Sequence, residues 1–354
     1  MEFLWLALKV ALAPVPGSVQ ASAVPPGGET RWLMGETHVH TGVSGDSKTP
    51  VPDVIRWYTE HGFDFIVLTD HNEVTAPANE GPLLVIPGAE LTQNPGRCDP
   101  PPPEKDGKCR IHLNGLFLEP PKGAIPWGEA PPTPKRRAPK RLDLYSRQLE
   151  AVAKMGGLAQ LNHPTWHHGV DEKLLVELIK RGVLFLEVAN MGFAKENDRT
   201  EKYPGSEDLW DAALTAGALV WGIASDDAHH YWDAEERRAK GLKVYEANKG
   251  FVMVRARKDP RAIREAMARG DFYSSNGVLL ERLEVSEEAL EIDVAADSPG
   301  IHRFVFIGAG GKVLAEAEGR QARFRLVDAP KGYVRAVVSD ASGRKAWTQP
   351  VWIR

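Results

Sequence analysis

Cysteine is nearly absent from this chain: among 354 residues there are two, Cys98 and Cys109. A Cys-x10-Cys spacing fits no usual zinc site. There is no Gly-x-Ser-x-Gly element either, so the nucleophile elbow of a serine hydrolase is missing. Positive charge is not in excess: 44 Lys and Arg against 48 Asp and Glu leave a formal net charge of −4. That balance provides no basic field for a nucleic-acid backbone. Past the first 30 residues no apolar run is long enough to span a bilayer, so no stable membrane span is expected.

The two cysteines flank Asp99-Pro100-Pro101-Pro102-Pro103-Glu104-Lys105-Asp106-Gly107-Lys108, a polar, proline-rich loop with no capacity to pack. Tying such a loop at its neck is the work of a disulfide. Closing a loop this short contributes about 3 kcal/mol in the chain-entropy model, and here it orders the approach to His112. The N-terminal residues also differ from the rest. Phe3-Leu4-Trp5-Leu6-Ala7-Leu8, Lys9 and Val10-Ala11-Leu12-Ala13 lead to Ala21-Ser22-Ala23, a small-x-small cleavage pattern. Residues 1–23 therefore read as a secretory signal, giving an exported protein, periplasmic or extracellular. Glu2 and the lack of an early Lys or Arg leave open a mis-set start or a disordered leader, with a cytoplasmic location.

What the chain does have is a series of strand-length apolar runs that stop at ligand-type residues. In Gly35-Glu36-Thr37-His38-Val39-His40-Thr41-Gly42-Val43-Ser44-Gly45-Asp46, His38 and His40 stand two apart, on one face of a strand, and the Gly-Val-Ser-Gly turn can return Asp46 to them. Such a pair also occurs as a hydrogen-bonded core pair, so this segment alone does not decide for metal. Phe65–Leu68 then runs into Thr69-Asp70-His71, Leu83–Ile86 into Glu90, Leu158–Leu161 into Asn162-His163-Pro164, and Ala218–Ala224 into Ser225-Asp226-Asp227-Ala228-His229. Ile111–Phe117 carries His112 near its start instead. Continuous apolar runs suit buried parallel strands, whose C-terminal ends gather the chemistry in barrel-type α/β folds.

Amphipathic segments over Val51–Glu60, Asp143–Met155, Glu172–Arg181, Ser206–Ala216 and Asp259–Arg269 alternate with these strands, and several carry Pro or Asp at their starts and Gly after their ends. Alternation of this kind predicts parallel strands with right-handed crossovers. The set His38-x-His40, Thr69-Asp70-His71, Gly88-Ala89-Glu90, His112, Asn162-His163-Pro164 and Asp227-Ala228-His229, in that order across roughly residues 33–275, resembles the polymerase-and-histidinol-phosphatase (PHP) family of metal-dependent hydrolases. The resemblance implies an α/β fold, a distorted (β/α)7 TIM-like barrel over 30–276, with two or three manganese, iron or zinc ions at its mouth. It implies nine ligands: His38, His40, Asp46, His71, Glu90, His112, His163, Asp227 and His229. Asp46 stands where many members carry a third histidine or an acid.

Other polar residues have secondary roles in this reading. Asp70 and Asp226 are expected to orient histidines, and Asn162 to fix the turn before Pro164. Asp227 rather than Asp226 is taken as the ligand, because on an extended segment Asp227 faces the same way as His229. Glu187 and Asn190 end the run Val183–Leu186 at the same mouth and are candidates for substrate contact, local capping being the alternative; Lys195, Arg199, His167, His168 and His230 are further candidates. The proline-rich stretch 120–141 ends in Lys135-Arg136-Arg137-Ala138-Pro139-Lys140-Arg141, a solvated loop by default, or a reach over the site toward an anionic substrate.

After about Gly277 the pattern changes to short alternating strands, with Gly308-Ala309-Gly310-Gly311 and Asp340-Ala341-Ser342-Gly343 as hairpin connections. Residues 277–354 read as a small antiparallel β-sandwich accessory domain. Barrel plus tail resembles the carbaryl-hydrolase-like branch of the family. The implied activity is hydrolysis of a small-molecule ester, most directly a phosphoester, by a metal-activated water with no protein nucleophile. A carboxylic or carbamic ester hydrolase, and a non-catalytic metal- or ligand-binding barrel, are the alternatives. Substrate identity and oligomeric state are not encoded in any motif.

Overall fold

The computed structural model describes residues 29–77, 81–104, 106–129 and 137–353. The expected signal segment 1–23, and Lys135 and Arg136 of the basic run, lie outside the described residues. The first part of the chain alternates β1 (Arg31–Val39), α1 (Val51–Glu60), β2 (Phe65–Leu68), β3 (Leu84–Gln93), β4 (Ile111–Leu116), α2 (Arg141–Lys154), β5 (Leu158–Leu161), α3 (Glu172–Lys180), β6 (Val183–Asn190), α4 (Ser206–Thr215), β7 (Trp221–Ser225), α5 (Ala234–Ala239), β8 (Phe251–Ala256), α6 (Pro260–Arg269) and β9 (Phe272–Ser275). The five expected helices are all present. Their ends follow local chemistry: Asp171 accepts from the Leu174 amide at the start of α3, Asp259 does the same for Ala262 in α6, and Gly270 closes α6 at φ 77°.

The fold is mixed α/β, built on a large sheet with parallel strands. β1 to β7 hydrogen-bond in sequence order, and a parallel bridge from Val39 to Ala228, just past β7, returns to β1. β1–β2, β2–β3, β5–β6 and β6–β7 are parallel. β4 departs from the all-parallel expectation: it runs antiparallel to both β3 and β5. The reason is the connection. Among the described residues no helix separates β3 from β4, only the Cys98–Cys109 loop, so the chain turns straight back as in a hairpin. Asp99, in that loop, bridges Lys140, and its carbonyl accepts from the Arg141 amide (2.8 Å) at the start of α2. Inside, Leu33, Phe65, Val67, Ile86, Phe185 and Ile223 fill the space below the site. Gly35 is required there, since a Cβ would lie 2.0 Å from the Phe65 ring.

The second part is all antiparallel: β10 (Leu280–Val285), β11 (Ala289–Val294), β12 (His302–Gly308), β13 (Lys312–Gly319), β14 (Gln321–Arg325), β15 (Gly332–Ser339), β16 (Lys345–Thr348) and β17 (Val351–Ile353). Both expected hairpin connections join antiparallel pairs, β12–β13 and β15–β16. β10, β11 and β14 form a separate three-stranded sheet, whereas β13-β12-β15-β16 continue the large sheet. Leu280, Ile292, Phe304, Phe306, Val334 and Val338 share one buried cluster. β9, which sequence reasoning missed, pairs with both β8 and β16, so hydrogen bonding is continuous across the expected boundary at residue 277.

The Cys98 and Cys109 sulfurs are bonded, with Cα atoms 5.9 Å apart. Reduction should lower stability by about 3 kcal/mol, measured by urea melts with and without reductant. Free alkylation of both thiols in unreduced protein would overturn the pairing.

Candidate metal centre

Nine His, Asp and Glu side chains meet at one end of the parallel strands. His38, in β1, and His40, just past its end, stand two apart and so share one face; both are fully covered. His71 follows β2, Glu90 lies in β3, His163 follows β5, and Asp227 and His229 follow β7. His112 reaches the same end because β4 is reversed: the start of an antiparallel strand is level with the ends of its neighbours. The early position of that histidine in its run, odd in the sequence, is thereby explained. Asp46, about 44% exposed, returns from the turn after β1.

Glu90 is the hub. Its Oε2 lies 2.9 Å from His71 Nδ1, 3.4 Å from His40 Nε2 and 3.6 Å from His38 Nε2. Its Oε1 lies 2.9 Å from His112 Nδ1 and 3.6 Å from His163 Nε2. Asp227 Oδ1 is 3.3 and 3.2 Å from His38 and His40 Nε2. Asp46 Oδ2 is 3.0 Å from His71 Nε2 and 3.2 Å from His229 Nε2. Three overlapping donor groups result: His38, His40 and Glu90; Glu90, His112 and His163; and His40, Asp46, His71 and His229. Glu90 and His40 each belong to two, which is how adjacent cations come to share ligands.

These residues fit divalent cations. The Nε2 atoms of His38 and His40 are buried with no hydrogen-bond partner, although buried polar atoms are nearly always partnered. Their Nδ1 atoms are engaged, by Glu187 Oε1 at 2.7 Å and Ser44 Oγ at 2.9 Å, which leaves Nε2 to face a cation. His112 is turned the other way: Nε2 meets Asn94 Oδ1 (2.9 Å), leaving Nδ1 for the centre. Burial lowers the His40 imidazole to about 4, aided by His229. Burial would also lower His71, but Glu90 and Asp46 hold it up to about 10. Glu90 and Asp227 stay ionised despite burial because the surrounding imidazoles pull both well below the ordinary carboxylate range. The set is carboxylate and imidazole only, suited to zinc, iron or manganese.

Two of the nine sit on left-handed backbone, His163 at φ 26° and Asp227 at φ 54°. Such conformations cost on the order of 1–3 kcal/mol each and persist only where the surroundings impose them. Here Glu187 Oε2 accepts the His163 amide at 2.5 Å. The kink at Asp227 also corrects the expected geometry. Asp227 does face the histidines, but through the reversal of φ, not by alternation along an extended segment.

The remaining candidates are placed differently from expectation. Asp226 touches no histidine: its carboxylate accepts the amides of Asn248, Lys249 and Gly250 at 2.6–2.7 Å. Burial raises it to about 7 against the pull of those amides. Asp70 likewise holds Thr41 and Thr75. Asn162 does not fix a turn but donates to Glu90 Oε1 (3.0 Å) and Asn114 Oδ1 (2.8 Å). Glu187 and Asn190 are fully buried. Glu187 positions His38, and Asn190 donates to Glu187 Oε2 (2.9 Å) and caps the following turn at Phe193. Lys195 is exposed, and Arg199 is paired with Asp208. His167 and His168 face Glu104 in the disulfide loop, and His230 accepts the Tyr245 amide.

Two cations near the centre escaped sequence reasoning. Arg110 lies over Trp166, whose ring packs on His112 and His163. Lys243 lies over Phe193 and Tyr245, which pack on His163 and His229. Arg110 was legible in principle, two residues before His112 on an extended segment; Lys243 has no local signal. Asp227→Asn should depress metal content and turnover severely, whereas Asp226→Asn, which loosens the hold on the amides of residues 248–250 and touches no histidine, should lower stability and leave metal content close to wild type. Elemental analysis and rates on both variants check this, and the reverse order would refute the assignment.

The fold and site define a mixed α/β protein with a candidate multinuclear metal centre at the strand ends. Among solved structures, the chain is similar to a two-domain protein containing a predicted PHP-like metal-dependent phosphoesterase from Bacteroides vulgatus ATCC 8482. Identity is 16%, the TM-score is 0.43, and the alignment covers 95% of this chain and 100% of that one. No protein-family model matches the chain, and no curated protein matches it. Nothing in that comparison bears on the carbaryl-hydrolase-like branch.

Proposed function

We propose that this chain is a PHP-type metal-dependent phosphoesterase, a distorted (β/α)7 barrel with a C-terminal β-sandwich, holding two or three divalent ions on the nine residues above. The observation that carries the reading is the pair of buried, unpartnered Nε2 atoms of His38 and His40 facing oxygens of Glu90 and Asp227. When bound, such ions supply Lewis acidity and an activated water at neutral pH. The protein's own part is preorganisation. Glu187, Ser44, Thr92 and Asn94 fix the ring orientations of His38, His40, His71 and His112.

Arg110 and Lys243, flanking the centre, favour an anionic phosphoryl group over a neutral ester, because they offset charge that develops on its oxygens. The paired cysteines fit an oxidising compartment. Among the described residues no helix is long and apolar enough to cross a membrane.

The test is a side-by-side assay of nitrophenyl phosphate, bis-nitrophenyl phosphate and naphthyl carbamate with manganese, zinc and iron, alongside a metal count on protein purified without chelator. Phosphoester turnover abolished by chelator is the expected result. Carbamate turnover with neither phosphate cleaved would reject the phosphoesterase reading in favour of an ester or carbamate hydrolase. Bound metal without any turnover would favour a non-catalytic barrel.

A further inference from the structure

Beside the metal centre, behind the segment Trp166–His168, lies a cavity of about 610 Å³, within the ordinary range for small-molecule sites. Its walls are the first turns of α2, α3 and α4 and the prolines of the disulfide loop. Three helix N-termini face this space, but those of α3 and α4 are already met by Asp171 and Asp208, and helix ends alone do not make a site. The second observation is Arg141, at the start of α2. It is about 1% exposed and lines this cavity. Its Nε donates to the Pro100 carbonyl at 2.7 Å, while Nη1 and Nη2 have no hydrogen-bond partner among the described residues. No described carboxylate is within ion-pair distance of it.

A buried guanidinium with two orphaned nitrogens is costly, and its surroundings are arranged to keep it where it is. Gly169, also on the cavity wall, leaves the room it needs: a Cβ there would lie 2.5 Å from Nη1. The basic run of the sequence thus ends in a buried cation, not in a solvated loop.

We propose that this cavity binds a small organic monocarboxylate, with Arg141 gripping its two oxygens. The fork of Nη1 and Nη2 matches a carboxylate. Pro100, Leu142, Val170, Tyr203 and Leu209 offer an apolar and aromatic wall for the body of the ligand. Asp99, Asp171, Glu172 and Asp208 also line the space; Asp171 is met by the Leu174 amide and Asp208 by Arg199 and the Gly205 amide, and the acidic charge that remains opposes a monoanion less than a dianion such as phosphate. The wall formed by Pro100, Pro101 and Pro103 belongs to the loop closed by Cys98 and Cys109, so ligand binding and the disulfide are linked through the same segment.

The experiment is calorimetric titration of 1-naphthoate into the metal-loaded protein. Wild type should bind one equivalent, and inorganic phosphate should not displace it. Arg141→Gln should weaken binding by at least about tenfold, the order expected for losing a charge-assisted hydrogen bond, with metal content unchanged. Ala212→Trp, which fills the cavity from α4 and leaves Arg141 in place, should abolish binding and serves as the deciding variant if Arg141→Gln fails to fold. Absence of binding at millimolar naphthoate, displacement by phosphate, or wild-type affinity in either folded variant would overturn the proposal.

Discussion

Glu90→Gln should remove more metal and more activity than any other single substitution at the strand ends. Its two oxygens approach five imidazoles, those of His38, His40, His71, His112 and His163, and it belongs to two of the three donor groups. Glutamine keeps the shape and one acceptor oxygen but removes the negative charge shared between those groups. The expected loss of turnover is on the order of 10³ or more, the scale of removing a preorganised electrostatic contact and beyond that of an outer partner. Metal stoichiometry supplies the sharper test. Asp46 belongs to one group only and is half exposed, so Asp46→Asn should lose one class of ion and spare the rest. Elemental analysis of the two variants side by side should show the deeper deficit in Glu90→Gln. Equal deficits would mean that Glu90 is not shared.

The ligand set was legible because strand ends punctuate the sequence. An apolar run closed by His, Asp or Glu marks both the element and the residue that it presents, and the structure brings these residues to one end together with Asp46, from a turn, and His112, from the start of a reversed strand. Backbone direction was not legible. The reversal of β4 follows from the missing helix between Gln93 and Ile111, a cue present in the sequence but outweighed by the assumption of regular alternation. Asp70 and Asp226 hold groups other than the expected histidines, and Asn190 takes the capping role that stood as its alternative, for a related reason. A polar residue at a strand end faces either the mouth or the layer beneath it, and one residue of register, or a single reversed φ as at Asp227, decides which. The tail strands could be read from their alternation, whereas β9 could not, because its Ser274 and Ser275 look like a linker and are buried only by pairing with β8 and β16. The buried state of Arg141 was hidden as well, since a basic run suggests solvent until the tertiary fold covers its last member.

Arg335→Met should be the most destabilising substitution far from the metal centre. Arg335 projects from β15 into α4, about 1% exposed, with Nη2 2.7 Å and Nε 2.8 Å from the Asp211 carboxylate and Nη1 3.1 Å from Glu207. Its guanidinium also lies 4.7 Å from the centroid of Trp210, and Tyr333 donates to Asp211 at 2.7 Å. Removing one partner of a buried pair costs roughly 3–5 kcal/mol, because the remaining charge keeps its desolvation penalty without its counter-ion. The double variant Arg335→Met, Asp211→Leu removes both charges and should recover most of that loss. The pH dependence has a definite sign. Burial would raise Glu207, but Arg335 and Lys345 hold it below its ordinary 4.5. A depressed carboxylate contributes stability that is complete above its unfolded-state value and is lost as pH falls through the folded one. The gap between wild type and Arg335→Met, measured by urea unfolding, should therefore be widest near neutrality and narrow below about pH 4. A gap that stayed constant down to strongly acidic pH would assign the contribution of Arg335 to packing on Trp210 and not to charge.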